Sequence, residues 1–311
     1  MTALTVAGPG GRLAVTHSGS GPPALLLHGW LGDQADLRPL AAALSADHQV
    51  ILMDLRGHGA SQGPGAGEGP DVGAGPGSFT LDDFADDAAA VIDGLRAAPV
   101  LVAGHSMGGA VALTLAGRYP HLVSGVVMVD SPWAVTPPGP ELVARAGPLR
   151  DSEDEYVARR DRLRDARAAL LPGPLAPPAA WPVAAQSYQS LMSWDGPAAV
   201  RRCPRPVHAV FADGGWQTVA ADLAQFPALG VTHVPGTGHW VQVERPAAVA
   251  AVIRAHAALS GADAATRRPA SDNSDIAIDS GKVCSLRSAE RRSNFSSGYE
   301  RSSLCPTTRS C

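Results

Sequence analysis

The sequence predicts an α/β fold: a mainly parallel central sheet with helices on both faces and a helical cap inserted between strands. Three observations predict it. Short apolar runs at Ala24–Leu27, Val50–Met53, Val100–Ala103, Val126–Val129, Val207–Phe211 and Val231–Val234 read as buried strands. They are continuous rather than alternating, as expected where a parallel sheet is covered on both faces. Helical patterns lie between the early runs, near Ala35–Ala46, Leu81–Ala97 and Ala110–Tyr119, and strands that alternate with helices imply parallel pairing. Finally, reactive residue types fall just after those runs, at the carboxyl ends where sites form in such sheets.

Composition narrows the partners. The 311 residues are 45% hydrophobic, enough for a substantial core, and the net charge of −4 gives no electrostatic case for nucleic acid or an anionic membrane. The start "MTALTVAGPGGRLAVTH" lacks a basic region followed by an apolar stretch, so no signal peptide is expected. No run reaches membrane-spanning length. The four cysteines have neither metal-like spacing nor the look of a disulfide framework. A cytoplasmic protein with no metal and no cofactor is expected; its oligomeric state is left open.

Taken in order, residues 1–131 and 203–260 are expected to form the core and 132–202 the cap. Thr80 with Asp83 three residues on resembles a capping box at a helix start. Gln62–Ser78, rich in Gly and Pro, reads as a surface loop. The cap mixes a proline-rich stretch, a charged helix around Ser152–Leu171 and a further helix near Ala184–Ser193. Its aromatics Trp133, Trp181 and Trp194 are candidates to wall a substrate pocket, with packing between cap helices the alternative. Residues 261–311 hold the chain's only lysine, Lys282, and three of its four cysteines, and show no apolar periodicity. Such a segment reads as a disordered tail.

The stretch "PVLVAGHSMGGAVALTLAG" carries the chemistry. Gly104-His105-Ser106-Met107-Gly108 fits G-x-S-x-G between an apolar strand and a helix start. In that turn the serine is held in a strained conformation with its hydroxyl above the sheet, and the helix N-terminus favours developing negative charge. Ser106 is the candidate nucleophile; a helix-capping serine is the bland alternative. His239 is the candidate base, because it follows the last apolar run and a Gly-Thr-Gly turn, late in the chain.

The ordered set "LLLHGW", "DLRGHGAS", "GHSMGG", "VVMVDS" and "GTGHWVQVERP" resembles the α/β-hydrolase superfamily, in its branch of small capped serine hydrolases, over about residues 10–258. The resemblance implies a serine esterase or lactonase with a Ser-His-Asp triad, acting on a small-molecule ester or lactone. It implies backbone N–H groups of Trp30 and Met107 as oxyanion-hole donors, and "DLRGHGAS" as a structural turn. His105, beside the nucleophile, is expected to pack or to line the substrate pocket. For the acid, the pattern leaves two choices. Asp130 ends the strand after the nucleophile helix, where some members draw their acid; Asp213 follows the post-cap strand but sits two residues early, in "ADGGWQ". Asp130 is preferred and Asp213 is the alternative. Cofactor-free oxygenation or perhydrolysis on the same scaffold, and a non-catalytic ligand-binding role, are the competing functions.

Overall fold

The structure, a computed structural model, describes residues 1–63, 78–132, 153–213, 226 and 228–265. Most of the Gly/Pro-rich loop, Trp133 and the tail beyond 265 lie outside the described residues. An eight-stranded sheet in the order β1-β2-β4-β3-β5-β6-β7-β8 organises the rest. Its strands are β1 (Thr2–Gly8), β2 (Gly11–Ser18), β3 (Pro23–Leu27), β4 (Gln49–Met53), β5 (Val100–His105), β6 (Val123–Val129), β7 (Val207–Ala212) and β8 (Gly230–Val234). β3 through β8 pair in parallel, whereas β2 is antiparallel to both β1 and β4. The expected α/β sheet is present.

The period-2 geometry of strands divides the apolar runs between two cores. Leu25 and Leu27, Ile51 and Met53, Val100 and Val102 face one layer. Their neighbours Leu26, Leu52 and Leu101 face the other. The first layer is covered by α2 (Leu81–Gly94) and α3 (Met107–Arg118). The second is covered by α1 (Arg38–Leu44) and the long C-terminal helix, α8 (Pro246–Ala265), preceded by the short α7 (Val241–Glu244). Between β6 and β7 the cap supplies α4 (Glu153–Leu170), α5 (Trp181–Met192) and α6 (Gly196–Arg202).

Several boundaries differ from expectation, each for a physical reason. The N-terminal hairpin β1–β2 was absent from the sequence reading because β1 is a largely exposed edge strand and β2, between β1 and β4, buries only Leu13 and Val15, so no continuous apolar run marks either. The helix expected from Ala35 begins as a 3₁₀ turn at Gln34–Leu37, capped by Asp33, and becomes α-helical at Arg38, next to Pro39. α2 ends at Gly94 rather than Ala97, since Arg96 turns to a φ of 52°. α8 runs five residues past the expected core boundary, to Ala265. The Thr80–Asp83 capping box is formed, with the Asp83 N–H on Thr80 Oγ1 at 3.3 Å and the Thr80 N–H on Asp83 Oδ2 at 2.9 Å.

"DLRGHGAS" is a scaffold turn. Asp54 accepts from the Gln34 and Ala60 N–H groups, and Ser61 Oγ donates to the Asp54 carbonyl. Arg56 forks onto Asp87 of α2 at 2.6 and 2.8 Å, while Asp87 also accepts from the Gly10 N–H. One buried ion pair therefore joins the β1–β2 turn, the loop after β4 and α2. Breaking such a pair would strand a buried charge, so its geometry is strongly constrained.

The tightest packing lies where α3 crosses β5 and β3. A Cβ on Gly108 would fall 2.4 Å from the Leu27 carbonyl oxygen and 2.7 Å from that of His28. Both obstacles are backbone, at the end of β3 and in the residue after it, and cannot rotate away. Gly108→Ala is therefore expected to cost about 3 kcal/mol or more, or to prevent folding. Thermal unfolding checks this: a melting temperature equal to that of the wild type would show that the crossing can yield.

Candidate active site

Three strand ends converge. The Ser106 N–H donates to the Val129 carbonyl at 2.9 Å, and the Asp130 N–H donates to the Val210 carbonyl at 2.7 Å. These bonds extend the β5–β6 and β6–β7 ladders by one residue and set both side chains at the carboxyl edge. Among the described residues, the positive-φ non-glycines are Leu31 (58°), Arg96 (52°), Ser106 (51°) and Asp130 (43°), and all but Arg96 lie at this edge. Strain concentrated this way persists only where surrounding structure holds it.

Ser106 caps α3 with φ 51° and ψ −120°, a sharp strand-to-helix turn that leaves its side chain unused as a cap. Among the described residues its hydroxyl has no hydrogen-bond partner. A Cβ on Gly29 would touch the Ser106 Cβ at 3.1 Å, so the loop after β3 passes directly beside the serine. Neither the Trp30 nor the Met107 N–H donates to a backbone carbonyl among the described residues.

His239 is held from three directions. Its Nδ1 lies 2.6 Å from Asp130 Oδ2, and Asp130 is fully buried with Oδ1 on the Ala212 N–H at 3.2 Å. A carboxylate facing Nδ1 fixes the proton there and leaves the Nε2 lone pair free. His105 Nε2 donates to the His239 carbonyl at 2.8 Å, with the two rings 4.7 Å apart. Glu244 accepts from the Gly238 N–H, closing the preceding turn. Asp213 is elsewhere: its carboxylate is exposed, pairs with His233 Nε2 at 2.7 Å and accepts from the Gly236 N–H. The structure thus brings Asp130, not Asp213, to His239.

The other expected pocket residues divide. His105 is only 3% exposed and lies beneath His239, supporting that loop rather than lining a cavity. Trp181 packs on Tyr156 within the cap, ring centroids 5.3 Å apart, and Trp194 packs against the main core cluster. Trp133 lies outside the described residues. Tyr188 was not singled out in the sequence; its ring lies 5.3 Å from that of Trp30, and Arg159 stacks over both at 5.1 and 5.2 Å. Only its place on the inner face of a cap helix candidate could have signalled it. Trp30 itself bridges cap and core, its indole N–H donating to the Ala184 carbonyl at 3.0 Å.

Burial sorts the neighbouring histidines. His28 accepts the Leu55 N–H at Nε2 and donates from Nδ1 to the Gly29 carbonyl, a neutral tautomer with both nitrogens engaged. Burial lowers its pKa to about 4, lowers that of His58 to about 3, and holds His105 well below 6.5. Among the described residues no group of three His, Cys, Asp or Glu side chains is arranged to hold a metal ion. No described helix is long and apolar enough to cross a membrane.

A family model described as the alpha/beta hydrolase family matches residues 24–252. The chain belongs to that family. Among curated proteins it is 33% identical over 254 residues to the 2-(acetamidomethylene)succinate hydrolase of Mesorhizobium japonicum, covering 75% of this chain and 87% of the relative. Among solved structures, E-2-(acetamidomethylene)succinate hydrolase superposes with a TM-score of 0.63 at 28% identity, over 83% of this chain and 99% of that one. A thermophilic esterase from Thermogutta terrifontis, captured with malate bound, superposes with a TM-score of 0.60 at 22% identity, over 84% and 99% of the two chains; at that identity the likeness shows the fold alone. These three are hydrolases or esterases by name.

The buried histidines give the fold a pH dependence. Their folded-state pKa values lie below the ordinary 6.5, so their contribution is fully present above pH 6.5. It is lost progressively as pH falls through the folded value, because the unfolded chain takes up protons that the native state refuses. For His58 the window runs from 6.5 to about 3. In urea unfolding, the stability advantage of the wild type over His58→Gln is expected to shrink as pH is lowered from 7 to 4.5. A gap that stays constant with pH would overturn the neutral assignment.

Proposed function

We propose that this α/β hydrolase is a serine hydrolase that cleaves a carboxylic ester or lactone through an acyl-enzyme. The observation that carries the reading is the 2.6 Å contact between His239 Nδ1 and the buried Asp130 carboxylate, at the same sheet edge as the strained Ser106 turn. With Nδ1–H held by Asp130, His239 Nε2 takes the Ser106 hydroxyl proton as Oγ attacks the substrate carbonyl carbon. The carbonyl oxygen becomes an oxyanion, received by the Trp30 and Met107 N–H groups. Such donors are each worth about 3 kcal/mol when removed, since they need no reorganisation as charge develops. His239 then returns the proton to the leaving alkoxide, which departs as an alcohol or, from a lactone, stays tethered. Water, deprotonated by His239, attacks the acyl carbon, and His239 returns that proton to Ser106 Oγ as the ester bond to the serine breaks and the acid leaves. The paired rings of Trp30 and Tyr188 supply an aromatic wall of the substrate site, while Trp181 and Trp194 pack within the cap and against the core.

The test is turnover of a p-nitrophenyl ester series, of lactones and of 2-(acetamidomethylene)succinate, the substrate named for the relative at 33% identity. Ser106→Ala and His239→Ala should each reduce turnover by orders of magnitude with circular dichroism unchanged. Asp130→Asn should cost up to about 10⁴ in kcat, because the amide favours the wrong imidazole tautomer. Asp213→Asn should cost no more than a few-fold. An Asp213→Asn loss larger than that of Asp130→Asn would refute the choice of acid. Activity that survives Ser106→Ala would refute the nucleophile. Oxygen-dependent turnover would favour the cofactor-free oxygenase reading, and binding without turnover a non-catalytic member.

A further inference from the structure

Helix α4 is a solvated element with one anomaly. Of its eighteen residues only Tyr156 and Arg167 are buried, and Arg167 is 6% exposed. A guanidinium is buried only where its donors and its charge are matched. Here its Nε donates to Asp36 Oδ1 at 2.8 Å, its Nη2 to Asp33 Oδ2 at 3.0 Å and its Nη1 to the Leu31 carbonyl at 3.2 Å. All three acceptors lie in one short segment, immediately after Trp30.

The third of these bonds reaches further than it first suggests. The Leu31 carbonyl belongs to the same planar peptide as the Gly32 N–H, so fixing one fixes the direction of the other. The Gly32 N–H donates to the Gly29 carbonyl at 3.0 Å, which also accepts from His28 Nδ1 at 2.8 Å. The Gly29 carbonyl in turn shares its peptide with the Trp30 N–H. In a trans peptide the N–H points opposite the carbonyl, so anchoring the Gly29 oxygen aims the Trp30 N–H the other way. Two peptide planes, joined by the Gly32–Gly29 hydrogen bond, thus connect a cap guanidinium to the Trp30 amide. The loop needs such a hold, since Leu31 sits at φ 58°, a conformation costly for a leucine. The packing is also close: a Cβ on Gly32 would lie 2.4 Å from Asp36 Oδ2.

We propose that Arg167 is a positioning residue: from the cap it locks the Gly29–Gly32 turn so that the Trp30 N–H faces the oxyanion. The inference rests on the reading of that N–H as an oxyanion donor. A lysine cannot replace the fork. Its single ammonium keeps the charge facing Asp33 and Asp36 but cannot also hold the Leu31 carbonyl in the same geometry.

The experiment uses the full chain with Arg167→Lys and Arg167→Met, read in three ways. Amide hydrogen exchange by mass spectrometry over residues 28–37 reports the turn without reference to activity. Ester kinetics give kcat and KM, and affinity for a trifluoromethyl ketone reports the tetrahedral oxyanion. In Arg167→Lys, exchange at 28–37 should rise about tenfold while the sheet is unchanged. At the same time kcat should fall about 10- to 100-fold with KM within twofold, and ketone affinity should fall by the same factor as kcat. Unchanged kcat and ketone affinity would overturn the proposal, as would a uniform rise in exchange with kcat preserved, which marks a merely structural residue. Should Arg167→Met fail to fold, Arg167→Lys decides alone. A wild-type chain that neither turns over esters nor binds the ketone sinks the hydrolase reading instead. In that case a selective rise in exchange at 28–37 still supports the lock on the turn, and its absence overturns it.

Discussion

The arrangement depends on how closely backbone can approach backbone where β5 turns into α3. A Cβ on Gly104 would fall 2.0 Å from the Gly108 carbonyl oxygen, and one on Gly109 would fall 1.9 Å from Ser131 Oγ. With no side chains in the way, the helix starts almost on top of the sheet. Ser106, caught between, must take up a positive φ. That turn is held by hydrogen bonds on both sides, the Ser106 N–H on Val129 and the Gly109 N–H on Ser106 itself. The bond to Val129 aligns the end of β6 with the end of β5, which places Asp130 one strand away from the serine. The site geometry therefore follows from a packing requirement of the scaffold.

Much of this was legible in the sequence, and the reasons are specific. Five of the parallel strands announce themselves because burial on both faces demands unbroken apolar runs; β8, expected to be buried, lies at the sheet edge with only Val234 buried. The Ser106 turn is legible because glycines on either side of one serine are needed there and would be a poor choice elsewhere in a strand or helix. The edge strand β1 and its neighbour β2 left no such mark, since few of their residues are buried and only the Gly8-Pro9-Gly10-Gly11 turn hints at a hairpin. The sequence ranks Asp130 above Asp213 but leaves both open, because each follows an apolar strand. What distinguishes them is lateral order. β6 lies beside β5, whereas Asp213 leaves the sheet one strand further on and meets the turn after β8. Strand order is a long-range property that no local window contains.

The same argument explains why one histidine stands apart from its neighbours. His28, His58, His105 and His239 cluster near the strand ends, with ring centroids 5.2 Å apart for the first pair and 4.7 Å for the last. Desolvation holds the first three neutral; His28 engages both ring nitrogens with backbone, while His58 and His105 each bond a backbone carbonyl through one. Only His239 is partly exposed and faces a buried carboxylate. A neutral His105 under His239 is also a sensible support, since a second cation at that distance would oppose any positive charge on His239. Identical side chains thus take different roles according to burial and partner.

The cap is not a separate lid laid over a finished site. Trp30 is shared: its backbone lies beside Ser106 while its indole N–H is bonded to α5 through the Ala184 carbonyl. α5 also meets the start of α2, where Ser190 Oγ accepts the Leu81 N–H at 3.0 Å. α4 reaches the same β3 loop through Arg167, with the two carboxylates beneath it in unequal states. Burial pushes Asp36 up to about 6, whereas Asp33, though burial opposes it, is held below its ordinary value by the guanidinium. The arginine's charge is balanced by both carboxylates, one of which, Asp33, also caps the 3₁₀ turn, so the cap and the turn share one electrostatic anchor. A change in cap sequence that moved α4 or α5 would shift Trp30 with it. On the proposed mechanism, divergence in the cap would then alter rate as well as substrate choice, because the wall of the pocket and one donor to the oxyanion are the same residue.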